Sequence, residues 1–226
     1  VFDKICIFKL PQPGGFDEVH FGKFVSAYST QEYYFDIHPP LGKLMIAGFA
    51  KLFSFSGADF DKIGESLDSR TFFALRFLPA LFGALFVLLI YELALKLGFS
   101  KRMAFLAGFM VIFDNALLTE SKFILVDIFL LFFGFLSLYL FSKKYFWLAG
   151  LSAGLAFSVK WTGLSFLGII LIFTLVQLIK NFSIKKLIIA SFSLVILPLL
   201  VYASLFALHF TLLPKPGPGD AFMSQN

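Results

Sequence analysis

The sequence predicts an all-α fold, a polytopic bundle of membrane helices, and three observations lead there. First, 59% of the 226 residues are hydrophobic and 15% charged, against roughly 45–50% and about 25% in soluble domains; mean hydropathy is +0.88. Second, from Phe77 onward long apolar runs alternate with short polar or basic breaks. Third, the basic breaks fall in every other connection, the mark of positive-inside topology. This composition excludes a soluble enzyme with a polar surface, a disordered segment and a disulfide scaffold, since Cys6 is the one cysteine. The net charge of +5 could suit nucleic acid. In a polytopic chain such an excess reflects topology-setting lysines, so no nucleic-acid partner is expected.

Taken in order, residues 1–76 hold eight basic and nine acidic residues and read as an extracytoplasmic loop with interfacial helices. Val1–Leu10 resembles the outer end of an earlier span or a linker, and Pro11–Gly15 breaks the chain. A helix then starts at Phe16–Asp17 and runs to about Ser29. Pro39-Pro40 restarts it, proline being favoured in a first helical turn. Leu41–Phe53, apolar with Lys43 and Lys51, suits a helix lying in the interface, and Ser54–Arg70 is a polar loop. Residues 77–210 supply six crossings. Phe77–Leu95, Phe123–Phe141, Trp161–Ile179 and Leu187–Phe210 reach the roughly 17–25 residues a bilayer requires. Met103–Leu118 and Tyr145–Val159 are shorter but lie between basic loops. Residues 211–226 begin another extracytoplasmic loop that stops in mid-domain, so the chain reads as a fragment.

Orientation follows from the breaks. Lys96, Lys101 and Arg102 share one connection, Lys143 and Lys144 a second, and Lys180, Lys185 and Lys186 a third. These connections alternate, which places all three in the cytoplasm. Thr119–Lys122, the vicinity of Lys160 and both flanks then face outward.

Several outward residues could carry chemistry. Asp17-Glu18 could complement a helix dipole or do acid–base work. Neighbours on a helix diverge by about 100°, so one of the two would work while the other positions it. His38-Pro-Pro-Leu-Gly-Lys43 reads either as a turn and helix start or as part of a site. Arg76, at the outer mouth of the first complete span, is a snorkelling residue or a fork for a lipid phosphate. Lys160 and Lys122, on the same outer side, repeat that choice. Asp114 and Asp127 lie four residues inside the outer ends of their spans and Glu92 near an inner end. An acid costs about 3 kcal/mol at a span's centre and less near its ends. Each is a structural pair with a neighbouring helix's Lys or Arg, or a direct participant. Gly150-Leu-Ser-Ala-Gly154 suits close helix packing, and Pro198 should kink the last span. Three scattered histidines and one cysteine supply no metal-ligand spacing.

Together the segments Phe16-Asp-Glu-Val-His-Phe-Gly-Lys23, Phe35-Asp-Ile-His-Pro-Pro-Leu-Gly-Lys43 and Arg76-Phe-Leu-Pro-Ala-Leu-Phe-Gly83 resemble the protein O-mannosyltransferase family, membrane glycosyltransferases of the GT-C type. Phe113-Asp-Asn115, Ile124-Leu-Val-Asp127, Val159-Lys-Trp-Thr-Gly163 and Gly217-Pro-Gly-Asp-Ala-Phe-Met-Ser224 follow in the family's order. The resemblance implies a GT-C bundle that transfers mannose from a polyprenyl phosphate, dolichyl phosphate in eukaryotes, to Ser or Thr hydroxyls of exported polypeptides. It implies Asp17 as catalytic base. On this reading Glu18 orients the acceptor or the loop. Arg76, Lys160 and then Lys122 bind the donor phosphate, and His38, Lys43 and Asp127 shape the site. One departure stands out. Ser121-Lys122 replaces the Arg that commonly precedes the Ile-Leu-x-Asp run, so charge is kept but the bidentate fork is lost.

The chemistry agrees with one base and several cations. A carboxylate accepts the hydroxyl proton, and the phosphate leaving group calls for positive charge rather than a protonating acid. Direct displacement inverts the anomeric carbon. The implied partners are the lipid-linked donor, the polypeptide acceptor and the bilayer; dependence on a divalent cation stays open. Alternatives are another GT-C transferase with a lipid or glycan acceptor, or a non-enzymatic transporter or scaffold. Short loops and sixteen lysines against three arginines favour a bacterial plasma membrane, or the endoplasmic reticulum membrane if the source is eukaryotic.

Overall fold

In the computed structural model, residues 16–60 and 68–222 are described, and among them the chain is helical with no strand. The expectations for Val1–Leu10, Pro11–Gly15, the middle of the 54–70 loop and Ser224 lie outside the described residues. The fold is all-α and belongs in a membrane. Phe105, Met110, Ile172, Ile179 and Ile188 are all exposed, an arrangement that suits lipid and not water.

The two loop helices come first. α1 (Phe16–Thr30) carries Asp17 and Glu18 in its first turn, where acids complement the helix dipole. α2 (Leu41–Leu52) starts directly after Pro40. α3 (Ser69–Lys96) begins eight residues before the apolar run. Asp68 caps it, its carboxylate accepting the N–H groups of Arg70 and Thr71. Arg76 therefore lies two turns inside a helix, and the boundary expected between residues 76 and 77 falls within α3. At 28 residues α3 is about 42 Å long, so its first turns reach past a roughly 30 Å hydrocarbon core.

The stretch expected as the span Met103–Leu118 is broken. α4 (Lys101–Ile112) and α5 (Asn115–Lys122) meet at 61°. Asp114 is the reason: its carboxylate accepts the Leu117 N–H and starts a new helix. It is thus an N-cap, where an acid paired with a neighbouring helix or taking part directly was expected. α6 (Asp127–Ser142) starts four residues later than the apolar pattern suggests: Phe123 is extended at ψ 171°, and the Leu125 N–H turns back to the Phe123 carbonyl at 2.8 Å while the Ile124 N–H goes to Glu18. α7 (Phe146–Val159) leads through extended Lys160 and a 3-10 turn into α8 (Leu164–Lys180).

The last apolar stretch joins α9 (Ile184–Ser191), a π-helical turn over Phe192–Ile196, and α10 (Leu197–Leu212). Pro198 has no N–H for the Leu194 carbonyl, and the wide turn takes up the mismatch, the Leu197 N–H reaching back to Phe192. α3, the 161–180 stretch and the 184–212 stretch are each long and apolar enough to cross a membrane; the bent α4–α5 pair passes only if taken together, and α6 and α7 are shorter apolar helices.

Helices in lipid gain little from hydrophobic burial and depend on close approach. The small-residue face of α7 shows this. A Cβ on Gly150 would sit 1.7 Å from the Ser193 carbonyl oxygen, and one on Gly154 would sit 2.9 Å from Pro198 Cα. The interior centres on Ile46, Leu75, Ile124, Val126, Ile128, Phe129 and Val159, all buried. It joins α2 to α3, α6 and α7, so the loop helices cap the end of the bundle where α3, α6 and α8 begin. The segment after α10 returns to that end. The Tyr33 N–H donates to the Lys215 carbonyl at 2.9 Å and the Lys215 N–H to Gln31 at 3.1 Å. Tyr28 and His209 hydrogen-bond at 2.7 Å beside this bridge.

Candidate active site

The capped end gathers most of the charged residues singled out in the sequence. Glu18 turns into the bundle and is 3% exposed. Arg76 grips it with both arms, Nε to Oε1 and Nη2 to Oε2, each at 2.8 Å. The Ile124 N–H adds a third bond to Oε1 at 3.0 Å. The guanidinium lies over the rings of Phe72 and Phe123, 4.5 and 5.1 Å from their centroids. One carboxylate thus ties α1 to α3 and to the start of α6. Asp17, one residue earlier on α1, stands exposed, as the 100° step between helix neighbours requires.

A second pair stands beside it. Lys160, held extended between α7 and the 3-10 turn, donates to Asp127 Oδ2 at 2.6 Å, and both side chains stay partly accessible. A third is buried: Lys43 pairs with Asp36, donates to the His38 carbonyl at 2.8 Å, and lies over Phe24 and Tyr34. Burial pulls the Lys43 ammonium below its ordinary range, with Asp36 opposing. His38 stands between the pairs. Burial and then Lys160 hold its imidazole below the ordinary value, while Asp36 acts the other way.

Glu120 belongs to this group as well, although the sequence reading passed over it. It lies near the end of α5, half-buried, and its Oε2 has no hydrogen-bond partner. Burial, Asp127 and Asp17 raise its carboxyl to about 7 against the pull of Lys160 and the Asp127 N–H. Lys122 does not join them. Two residues further along α5 it is carried about 200° round the axis and is exposed. Among the described residues no group of three or more His, Cys, Asp or Glu is arranged to hold a metal ion.

An exposed carboxylate at the rim, a partly accessible lysine and a carboxylate locked by an arginine are the kinds of group that accept a proton at one point and stabilise negative charge at another. A family model described as dolichyl-phosphate-mannose-protein mannosyltransferase matches residues 5–214. The chain belongs to this family. Among proteins similar to it, dolichyl-phosphate-mannose–protein mannosyltransferase 6 of Candida albicans is 34% identical over 92% of this chain and 30% of its own length. Mannosyltransferase 3 of Saccharomyces cerevisiae is 35% identical over 92% of this chain and 31% of its own. In the solved structures, the S. cerevisiae protein O-mannosyltransferase Pmt1-Pmt2 complex bound to the sugar donor matches with a TM-score of 0.89 at 32% identity, covering 99% of this chain and 34% of the matched one. The bundle is thus of the GT-C type. The chain spans about a third of the length of these mannosyltransferase relatives.

Two members of this charged group escaped the sequence reading for different reasons. Glu120, in Thr119-Glu-Ser-Lys122, looks like any solvated turn, and only packing shows that one of its oxygens is enclosed. Asp36 lies within the Phe35-Asp-Ile-His segment that carried the family resemblance, seven residues before Lys43. An acid at that distance from a lysine on an apolar helix was a usable signal.

Proposed function

We propose that the protein containing this chain transfers mannose from dolichyl phosphate mannose to Ser or Thr hydroxyls of exported polypeptides, with inversion at the anomeric carbon. The single observation that carries the reading is the split of the carboxylate pair. Glu18 is fully engaged by Arg76 and Ile124, whereas Asp17 is exposed at the rim. The acceptor hydroxyl oxygen attacks the anomeric carbon and its proton passes to Asp17. The bond from that carbon to the phosphate oxygen breaks, leaving its electron pair on the phosphate. A carboxylate base of this kind contributes typically 10²–10⁴-fold.

Lys160 is the leading cation for the phosphate, since its ammonium is partly accessible and carries three donors. Arg76 changes role relative to the expectation from sequence. Its two arms toward Glu18 are committed, so it positions α1 and adds positive field, with its remaining N–H groups left for a phosphate oxygen. Glu120, its carboxyl raised to about 7 and so about half protonated at neutral pH, carries less negative charge toward the leaving phosphate than an ordinary glutamate. His38 and the buried Lys43–Asp36 pair shape the wall, and Lys122 is a peripheral surface cation.

Six crossings with the site outside the cytoplasm complete the reading, on the strength of the lysine count. The relatives in yeasts support the eukaryotic alternative, the endoplasmic reticulum membrane, over the bacterial plasma membrane. The test is transfer from dolichyl phosphate mannose to a Ser/Thr peptide by full-length protein and its Asp17→Asn variant. A 10²–10⁴-fold fall in kcat with unchanged unfolding temperature is expected, on the order of a lost general base. Undiminished transfer removes Asp17 from the base role, and donor consumption only with a lipid or glycan acceptor changes the substrate class.

A further inference from the structure

The opposite end of the bundle carries a feature that mannosyl transfer does not use. α6 begins at Asp127 and ends at Ser142, about 24 Å away at 1.5 Å per residue. There a groove of about 390 Å³ opens between the α6–α7 turn, the end of α8 and α9. Phe141, Leu178 and Ile189 give it an apolar lining, and Lys144 and Lys186 also line it, with no carboxylate among the lining residues. The ion pairs Lys43–Asp36, Arg76–Glu18 and Lys160–Asp127 involve neither lysine.

Lys144 occupies an unusual backbone position. The Lys144 N–H donates to the Phe141 carbonyl at 2.9 Å and the Tyr145 N–H to Leu140 at 3.0 Å, closing α6 with Lys144 at φ 66°. That left-handed position is the usual place of glycine or asparagine, because a Cβ crowds the backbone there. A lysine at this point gains nothing for the turn, but it sets an ammonium at the edge of an apolar trough.

We infer that this groove binds an anionic phospholipid of the leaflet opposite the acidic group, cytoplasmic by the lysine count. The phosphate sits on Lys144 and Lys186 and one acyl chain lies along the apolar lining. Basic pockets between membrane helices on the cytoplasmic side bind anionic head groups in this way, at about fivefold in affinity per lysine.

The experiment uses full-length protein in phosphatidylcholine nanodiscs containing phosphatidylglycerol with a photoactivatable acyl chain, and reads the phosphatidylglycerol fraction at half-maximal labelling. Labelling is expected on the peptides carrying Phe141 and Ile189, and far less with a phosphatidylcholine probe. Lys144→Gly, which relieves the turn while removing the charge, should raise the half-maximal fraction about fivefold, and Lys144→Gln with Lys186→Gln about twenty-fivefold. Lys180→Gln with Lys185→Gln, at the same end but outside the lining, should change it less than about twofold. Equal labelling by both lipids, or an equal effect of the control pair, overturns the proposal. Displacement of the probe by soluble glycerol phosphate as readily as by phosphatidylglycerol overturns the acyl-chain half of it.

Discussion

Replacing Glu18 by glutamine tests whether the clamp beneath the site holds the loop to the bundle. The wild-type carboxylate accepts three bonds, two of them from Arg76, with 3% of the Glu18 side chain and 13% of Arg76 exposed. Removing one partner of a buried pair costs about 3–5 kcal/mol, because the other charge is left unpaired. Glutamine keeps the size and one acceptor for the Ile124 N–H, which places Glu18→Gln near the lower end, about 3 kcal/mol. Arg76→Met strands the Glu18 charge in the same way, and Met fits between Phe72 and Phe123. The double variant strands neither charge, so it should lie about 2–3 kcal/mol short of the summed single effects. Reversible unfolding of full-length protein in mixed detergent micelles, followed by tryptophan fluorescence, measures each corner of the cycle. Glu18→Gln within about 0.5 kcal/mol of wild type, or additive single effects, would refute the reasoning.

Two further outcomes follow from the geometry. The folded carboxyl of Glu120 titrates at about 7 and its ordinary value is 4.5, so the folded state holds the proton more tightly. Stability is fullest below pH 4.5 and falls as pH rises toward 7. Discounted for partial exposure, Glu120→Gln should stabilise by about 1–2 kcal/mol at pH 8 and by close to nothing at pH 4; an equal effect at both pH values would refute the burial of this carboxyl. Gly150→Ala forces a methyl into the Ser193 carbonyl and should cost about 1–3 kcal/mol. Gly48→Ala, with nothing within 4 Å, should be neutral or stabilise by up to about 1 kcal/mol; thermal unfolding of the two variants side by side decides it.

What the sequence disclosed depended on whether the signal was local. The bounds of α1 and α2 are local, written in Pro40 and in the acids at 17 and 18, and they match within a residue or two. The small-residue face of α7 was equally visible. Composition could not show that Phe113-Asp-Asn breaks a span, since the apolar count runs straight through it and only the Asp114 cap ends α4. Nor could it show which charges meet. Arg76 and Glu18 are 58 residues apart and Lys160 and Asp127 are 33 apart. Their pairing is set by tertiary packing, and so is the turn of α5 that carries Glu120 inward and Lys122 away.

The bridge between the first loop and the segment after α10 bears on the order of assembly. Tyr28 leaves the ribosome 181 residues before His209, roughly 10–40 s earlier at usual synthesis rates. For that interval α1 and the 31–36 segment wait without the Lys215 bridge or the histidine that will flank them. The charged groups themselves all lie between residues 17 and 160 and can meet before α10 is made, so the bridge fastens the first loop to a cluster that has already gathered.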